Sequence, residues 1–373
     1  MKTLNGLYLW GPGEITATAV TLEGLSVMPD VQRRDIPVVS VGNSAEINAA
    51  LGNACDHLLI QNSTDVEGAF RSFLRPWKRW CGTLTHENDM TEIGMVEEPS
   101  FAVVPTSLDN RGDDQGTASH RIGYIAWYSK GLLDAGKVPV VLAFHGGGDS
   151  ALHMAHVSGW YRVAKRNNFL LITVENHLNS TATEAVALLE ELKKKYPIDE
   201  KRVYATGFSM GGIKTWDLFQ EYPEVFAALA PMGATVEVGH NVYFRPVEKE
   251  INQSVSVPVF YAGGEISPLP ELPCQGQKCA DRMAWVFQVN DVDRCYAAQY
   301  DDRENWENPI LSVNGDRVEQ VYDPSRDSTL TIHYFTSRDG VERTAFASIS
   351  GQGHECREHT CEHAWRFMSK FNK

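Results

Sequence analysis

The stretch Thr206–Gly212, "TGFSMGG", decides how the rest of the chain is read. It places G-x-S-x-G between a strand-like run, "RVYATGF", and a helix-like one, "MGGIKTWDLFQEY". A serine at such a strand-to-helix turn sits on a tight, strained backbone, so its Oγ projects above the sheet. Glycines flank it because side chains would clash where strand and helix approach closely. Ser209 is therefore expected to be a nucleophile, not merely the serine that caps a helix.

Other parts of the same machinery follow from chain order. "FHGGGDS" (Phe144–Ser150) comes directly after an apolar run. Its glycines expose backbone N–H groups that can face a developing oxyanion, alongside the N–H of the residue after the nucleophile. The hole is assigned to Gly147 and Met210, with Gly148 as the alternative loop donor. No Lys-Ser/Thr pair follows, so a phosphate cradle is disfavoured. With the order serine, acid, histidine, the base must come late. His333 lies inside a strand, and His359 and His363 at or inside the last helix. His354, in "SGQGH" just after "TAFASIS", is where a loop returns over the nucleophile. The acid is expected at Glu265, in the turn after "VPVFYAGG", with Asp281, Asp291 and Asp293 as rivals.

Around these motifs the pattern is α/β. "KVPVVLAF" is a continuous apolar run of the kind buried on both faces of a parallel sheet. "SGWYRVAKRNN" and "TEAVALLEELKKKYP" read as helices, and "FLLITVEN", "FAALAPMGA" and "VSVPVFYAGG" as strands. Alternation on this scale means a mostly parallel central sheet flanked by helices. "FAVVPTSL" and "RIGYIAWYS" precede it as a hairpin. Residues 266–328, rich in Pro, Asp, Asn and Cys, read as an insertion. "TLTIHYF" and "RTAFASIS" are then two strands, and Glu362 to Phe371 a final helix. Residues 1–90 read as a separate accessory segment, with strands in "IPVVSVG" and "HLLIQN" and helices in "SAEINAALGNA" and "DVEGAFRSFLRPWKRW". That segment suits a packing or homo-oligomer surface, and 91–373 is the catalytic unit.

Composition sets the outer limits. The 373 residues are 43% hydrophobic and 22% charged, as in ordinary globular proteins. A net charge of −14 disfavours nucleic acid or an anionic membrane as partner. The first residues carry too short an apolar run for a secretory signal, which points to the cytoplasm and reduced thiols.

The quoted motifs resemble the α/β-hydrolase superfamily, and within it the serine esterases that include polyhydroxybutyrate depolymerases and feruloyl esterases. "VPVVLAFHGGG", "SGWYRVAKRNNFLLITVEN", "YPIDEKRVYATGFSMGG", "YPEVFAALAPMGA" and "GQGHECREHTCEHAWRFM" follow that group's order and spacing. The likeness is densest over Lys137–Pro231. It implies an eight-stranded core, a Ser-acid-His triad and hydrolysis of a small-molecule ester with no cofactor. Such enzymes usually carry Asp after the seventh strand, where this chain has Glu265, followed by the insertion. Trp160, Tyr161, Trp285 and Trp306 are candidates to line an acyl or aryl pocket.

Three other readings stay open from sequence. A serine peptidase of the prolyl-oligopeptidase type shares the fold and triad. From another class, Cys274/Cys279 and Cys356/Cys361 with nearby histidines suit a zinc-binding protein. The C-x4-C spacings are looser than the usual zinc pairs, and no metal ligand is assigned. The third is a catalytically inactive hydrolase-fold interaction protein, against which the set Ser209, Glu265 and His354 argues.

Overall fold

The computed structural model describes residues 6–9, 38–41, 57–60, 90, 93–106, 119–147, 149, 151–175, 180–293, 300–310, 314–324 and 326–373. Three short strands, β1 (Gly6–Leu9), β2 (Val38–Val41) and β3 (His57–Ile60), form a sheet of their own in the order β1-β2-β3. β2 and β3 fall within the two strands expected there. The helices expected over 44–54 and 65–80 lie outside the described residues.

A ten-stranded sheet organises the remainder. Its strands are β4 (Met95–Pro105), β5 (Ser119–Ser129), β6 (Val138–Phe144), β7 (Leu170–Val174), β8 (Ile198–Phe208), β9 (Ala228–Met232), β10 (Val259–Gly264), β11 (Arg317–Asp323), β12 (Ser328–Phe335) and β13 (Thr344–Ile349). Their order is β11-β12-β13-β10-β9-β8-β6-β7-β5-β4. The stretch from β7 to β13 in that order is parallel throughout. The β4–β5 hairpin joins one edge and β12–β11 the other, all antiparallel.

Helices cover both faces, as continuous apolar strands require. They are α1 (Ala151–Val157), α2 (Trp160–Asn167), α3 (Ala182–Lys195), α4 (Met210–Glu221), α5 (Gln277–Val289) and α6 (Glu358–Met368). Strand alternation divides the core in two. Val140, Leu142 and Phe144 of β6 pack with Leu188, Leu189, Trp216, Phe219 and Met283 of α3, α4 and α5. Val141 and Ala143 pack on the other face with Met154, Trp160, Val163, Trp365 and Met368 of α1, α2 and α6.

The sheet departs from the sequence expectation at its far edge. Where the resemblance implied eight strands, β12 and β11 extend the sheet to ten. β11 and α5 both lie inside 266–328, so much of that stretch is core scaffold and not an added flap. α5 buries Cys279, Met283, Val286 and Phe287 at helical spacing. β11 is exposed along most of its length, which blunts its strand signal. The last helix begins at Glu358, one turn before the expected Glu362, because Thr360 and Cys361 are already packed inward.

The β8–α4 turn is the tightest point of the sheet. A Cβ at Gly207 would lie 2.2 Å from Gly211 O, and one at Gly211 only 2.0 Å from Phe144 O. Both neighbours are backbone, so neither can yield without moving a strand or helix. Gly211→Ala is expected to cost at least about 2 kcal/mol. Gly353→Ala, where a Cβ meets nothing within 4 Å, should stay within about 0.5 kcal/mol. Urea denaturation midpoints of the two variants check this.

Candidate active site

Ser209 lies between β8 and α4 with φ 56° and ψ −120°. A non-glycine residue there is strained, and the surroundings must hold it. Ser209 N donates to Met232 O at 2.9 Å, and Ile213 N donates to Ser209 O at 3.0 Å. That second bond opens the α4 ladder, so the Met210 amide stands ahead of the first intrahelical donor.

His354 sits in the loop after β13, as expected. Its Nε2 is 2.8 Å from Ser209 Oγ. Its ring lies against Phe208, with centroids 4.6 Å apart. Its Nδ1 is 2.5 Å from Glu271 Oε1. Glu271, and not Glu265, is thus the carboxylate on the imidazole. Glu265 is exposed and accepts from Ser348 Oγ at 2.8 Å. Asp281 is also exposed and accepts from Gln277 Nε2 on α5. Asp291 and Asp293 face Arg338.

Glu271 is fully buried, and its oxygens are well served. Gly264 N donates to Oε2 at 2.7 Å, and Ser267 Oγ donates to Oε1 at 2.6 Å. Gln275 ties the loop together. Its Oε1 accepts from the N–H of Glu271 and of Leu272, while its Nε2 donates to Gly264 O and Glu265 O. The chain leaves β10, passes Glu265, and turns back so that Glu271 lies beneath His354. The sequence signal for this was a carboxylate set among apolar residues and prolines in "LPELP" (Leu269–Pro273). That pattern marks a rigid, buried turn, not a solvated loop.

The glycine loop reaches Ser209 from the other side. Cβ positions built at Gly146 and Gly147 fall 3.4 Å from Ser209 Cβ and 2.5 Å from Met210 Sδ. Gly147 and Met210 are therefore adjacent, while Gly148 lies outside the described residues. The four aromatic pocket candidates do not gather at Ser209. Trp160 and Tyr161 are wholly buried, with Trp160 against Phe169 and Tyr161 against Trp127 and His156. Trp285 packs on Phe219 in the core, and Trp306 against the same cluster. Their size made them look like pocket walls, but the core claims them.

Two hollows lie near the loop after β13, and the smaller one reaches Phe208 beside Ser209. A small one of ≈ 20 Å³ is lined by Asp149, Met154, Val157, Ser158, Phe208, Glu355 and Cys356. A cleft of ≈ 430 Å³ adjoins it through Val157, Glu355 and Cys356, and is walled by charged side chains including Arg162, Arg166, Arg326 and Glu362. Among the described residues no group of three or more His, Cys, Asp or Glu is arranged to hold a metal ion. Nor is any helix among them long and apolar enough to cross a membrane.

Ser209, Glu271 and His354 follow β8, β10 and β13 at the carboxyl ends of parallel strands. The chain has the α/β-hydrolase fold. No protein-family model matches this chain. Over 118 residues, 29% of its length, it is 28% identical to a bifunctional acetylxylan esterase/xylanase of Neocallimastix patriciarum, of which the match spans 18%. Among solved structures it is similar to an acetyl xylan esterase from Aspergillus awamori. There the identity is 14% and the TM-score 0.46, over 72% of this chain and 99% of that one. For a bacterial heroin esterase the identity is 14% and the TM-score 0.40, over 60% of this chain and 80% of that one.

Behind the nucleophile, α4 buries an ionic cluster. Lys214 Nζ donates to Ser180 O at 2.6 Å and lies 3.4 Å from Asp217 Oδ2. Arg282, wholly buried, donates to Gln220, Val236 and Glu237. Burial raises the Asp217 carboxyl to about 6 against the pull of Lys214 and Arg282. Burial, reinforced by Asp217, raises Glu221 to about 7. The folded chain thus holds these protons more tightly than the unfolded chain. Their contribution to stability is complete below about pH 4 and falls as pH rises towards 7. Glu221→Gln should therefore gain stability relative to the parent, by about 1–3 kcal/mol, between pH 5 and pH 8. Denaturation at both pH values measures that difference.

Proposed function

We propose that the chain is a serine carboxylesterase acting on a small-molecule ester, with Ser209 as nucleophile, His354 as base and Glu271 as the supporting acid. One observation carries this reading: the unbroken series from buried Glu271 through His354 to Ser209 Oγ, with bonds of 2.5 and 2.8 Å.

In this mechanism His354 Nε2 takes the Ser209 proton as Oγ attacks the ester carbonyl. Glu271 holds Nδ1–H, which fixes the tautomer and stabilises the imidazolium. The Met210 and Gly147 N–H groups face the oxyanion, each worth about 3–4 kcal/mol in the transition state. His354 gives its proton to the departing alcohol. It then activates water, which hydrolyses the acyl-enzyme and frees Ser209.

The hollows suggest the two halves of the substrate. The ≈ 20 Å³ space beside Phe208 suits a short acyl group. The ≈ 430 Å³ cleft, lined by arginines and carboxylates, suits a polar, hydroxyl-rich alcohol. An acetylated sugar satisfies both, in keeping with the acetylxylan esterase named among the relatives.

Hydrolysis of p-nitrophenyl acetate, butyrate and octanoate tests this, with the matching acetanilide as amide control. Acetate should be preferred and the anilide nearly inert. Anilide cleavage as fast as acetate would favour the peptidase reading instead. Glu271→Gln should lower kcat roughly a thousand- to ten-thousandfold with little change in KM. Glu265→Gln should leave kcat close to the parent value. The reverse ranking would return the acid role to Glu265.

A further inference from the structure

The catalytic proposal leaves two thiols unused, although they lie close to its centre. Helix α6 starts at Glu358, with Arg357 as its N-cap in extended conformation and no side-chain cap bond. Counted from that cap, Cys356 precedes it and Cys361 is the fourth helical residue. Those are the two positions whose side chains meet across a helix entrance and fix the angle at which the chain enters. Apolar residues usually fill them, but here both carry thiols. Cys361 N donates to Arg357 O at 3.0 Å, closing the turn between them. The two Sγ atoms are 3.5 Å apart. Cys361 is wholly buried, while Cys356 is 7% exposed and lines both the hollow beside Phe208 and the adjoining cleft.

The geometry points to a disulfide between Cys356 and Cys361, a covalent staple that ties the His354 loop to the first turn of α6. The sulfurs must approach by about 1.5 Å to reach bonding distance near 2.05 Å. Rotation of the two side chains supplies that movement, because the backbone turn already holds their ends together. Spacing alone is not the reason. Cys274 and Cys279 are separated by the same number of residues, yet Cys279 Sγ donates to Glu271 O instead.

The chemistry needs an oxidant, here a small disulfide such as oxidised glutathione. The Cys356 thiolate attacks one of its sulfurs, forming a mixed disulfide and releasing one thiol. Cys361 loses its proton and attacks the Cys356 sulfur, forming the staple and releasing the second thiol. Two electrons pass to the oxidant. Burial pushes the Cys361 thiol well above its ordinary range, so Cys356, facing the cleft, is the entry point. The staple adds to polar bonds that already restrain the loop. Gln352 Nε2 donates to Glu355 O at 3.0 Å, and Arg357 donates to Ser328 Oγ at 3.1 Å.

The test uses the full chain incubated with oxidised glutathione or with dithiothreitol, then denatured, alkylated and digested without reduction. After oxidation, one peptide should carry a Cys356–Cys361 bond, absent from the dithiothreitol sample. Cys361→Ser should instead trap glutathione on Cys356. Both thiols fully alkylated after oxidation, or Cys356 bonded to a different cysteine of the chain, would overturn the proposal. Amide exchange of Gln352–Arg357 gives a second readout that needs no variant. It should slow several-fold in the oxidised chain, and equal exchange in both states would rule out a tie on the His354 loop.

Discussion

Everything at this site depends on one backbone conformation, that of Ser209. Its positive φ, 56°, is held by a hydrogen bond to β9 on one side and the start of the α4 ladder on the other. That conformation is reachable only because Gly207 and Gly211 let β8, α4 and β6 come together at backbone distance. The strain is local and the support is distributed. A side chain at either glycine would not simply crowd the turn. It would separate the elements whose contact keeps Ser209 in place.

Parallel register does the remaining assembly. Phe208 pairs with Met232, and Gly264 with Ile349, so the loops leaving β8, β10 and β13 emerge at one edge of the sheet. Three residues far apart in sequence thereby become neighbours without any long excursion of the chain. The loop after β10 is the exception, since it must fold back before presenting its carboxylate. Gln275 makes this possible by bonding both limbs of that loop, which leaves Glu271 buried yet fully hydrogen-bonded. A buried carboxylate without such partners would be costly.

The legible and illegible parts of the sequence follow from this construction. Ser209, the glycine loop and the His354 loop were readable because each requires specific residue types at fixed distances from a strand end. Glu271 was not, because its place depends on how a six-residue loop folds back, and Glu265 stood where a shorter loop would have put the acid. The aromatic pocket candidates were ambiguous for another reason. A large aromatic ring is equally suited to a pocket wall or a core, and only the packing of Trp160 on Phe169 distinguishes the two. β11 and α5 were hidden by composition, since polar residues in 266–328 obscured elements that serve the sheet. The start of α6 was missed because Cys356 and Cys361, not an ordinary capping side chain, mark its entrance.

The central claim is that Ser209 is a nucleophile activated by His354. Reaction of the folded chain with a fluorophosphonate, followed by mapping of the modified peptide by mass spectrometry, tests it most directly. The account predicts a single adduct on Ser209, absent from Ser209→Ala and formed far more slowly in His354→Ala. An adduct on another residue, or none on the folded protein, would contradict it.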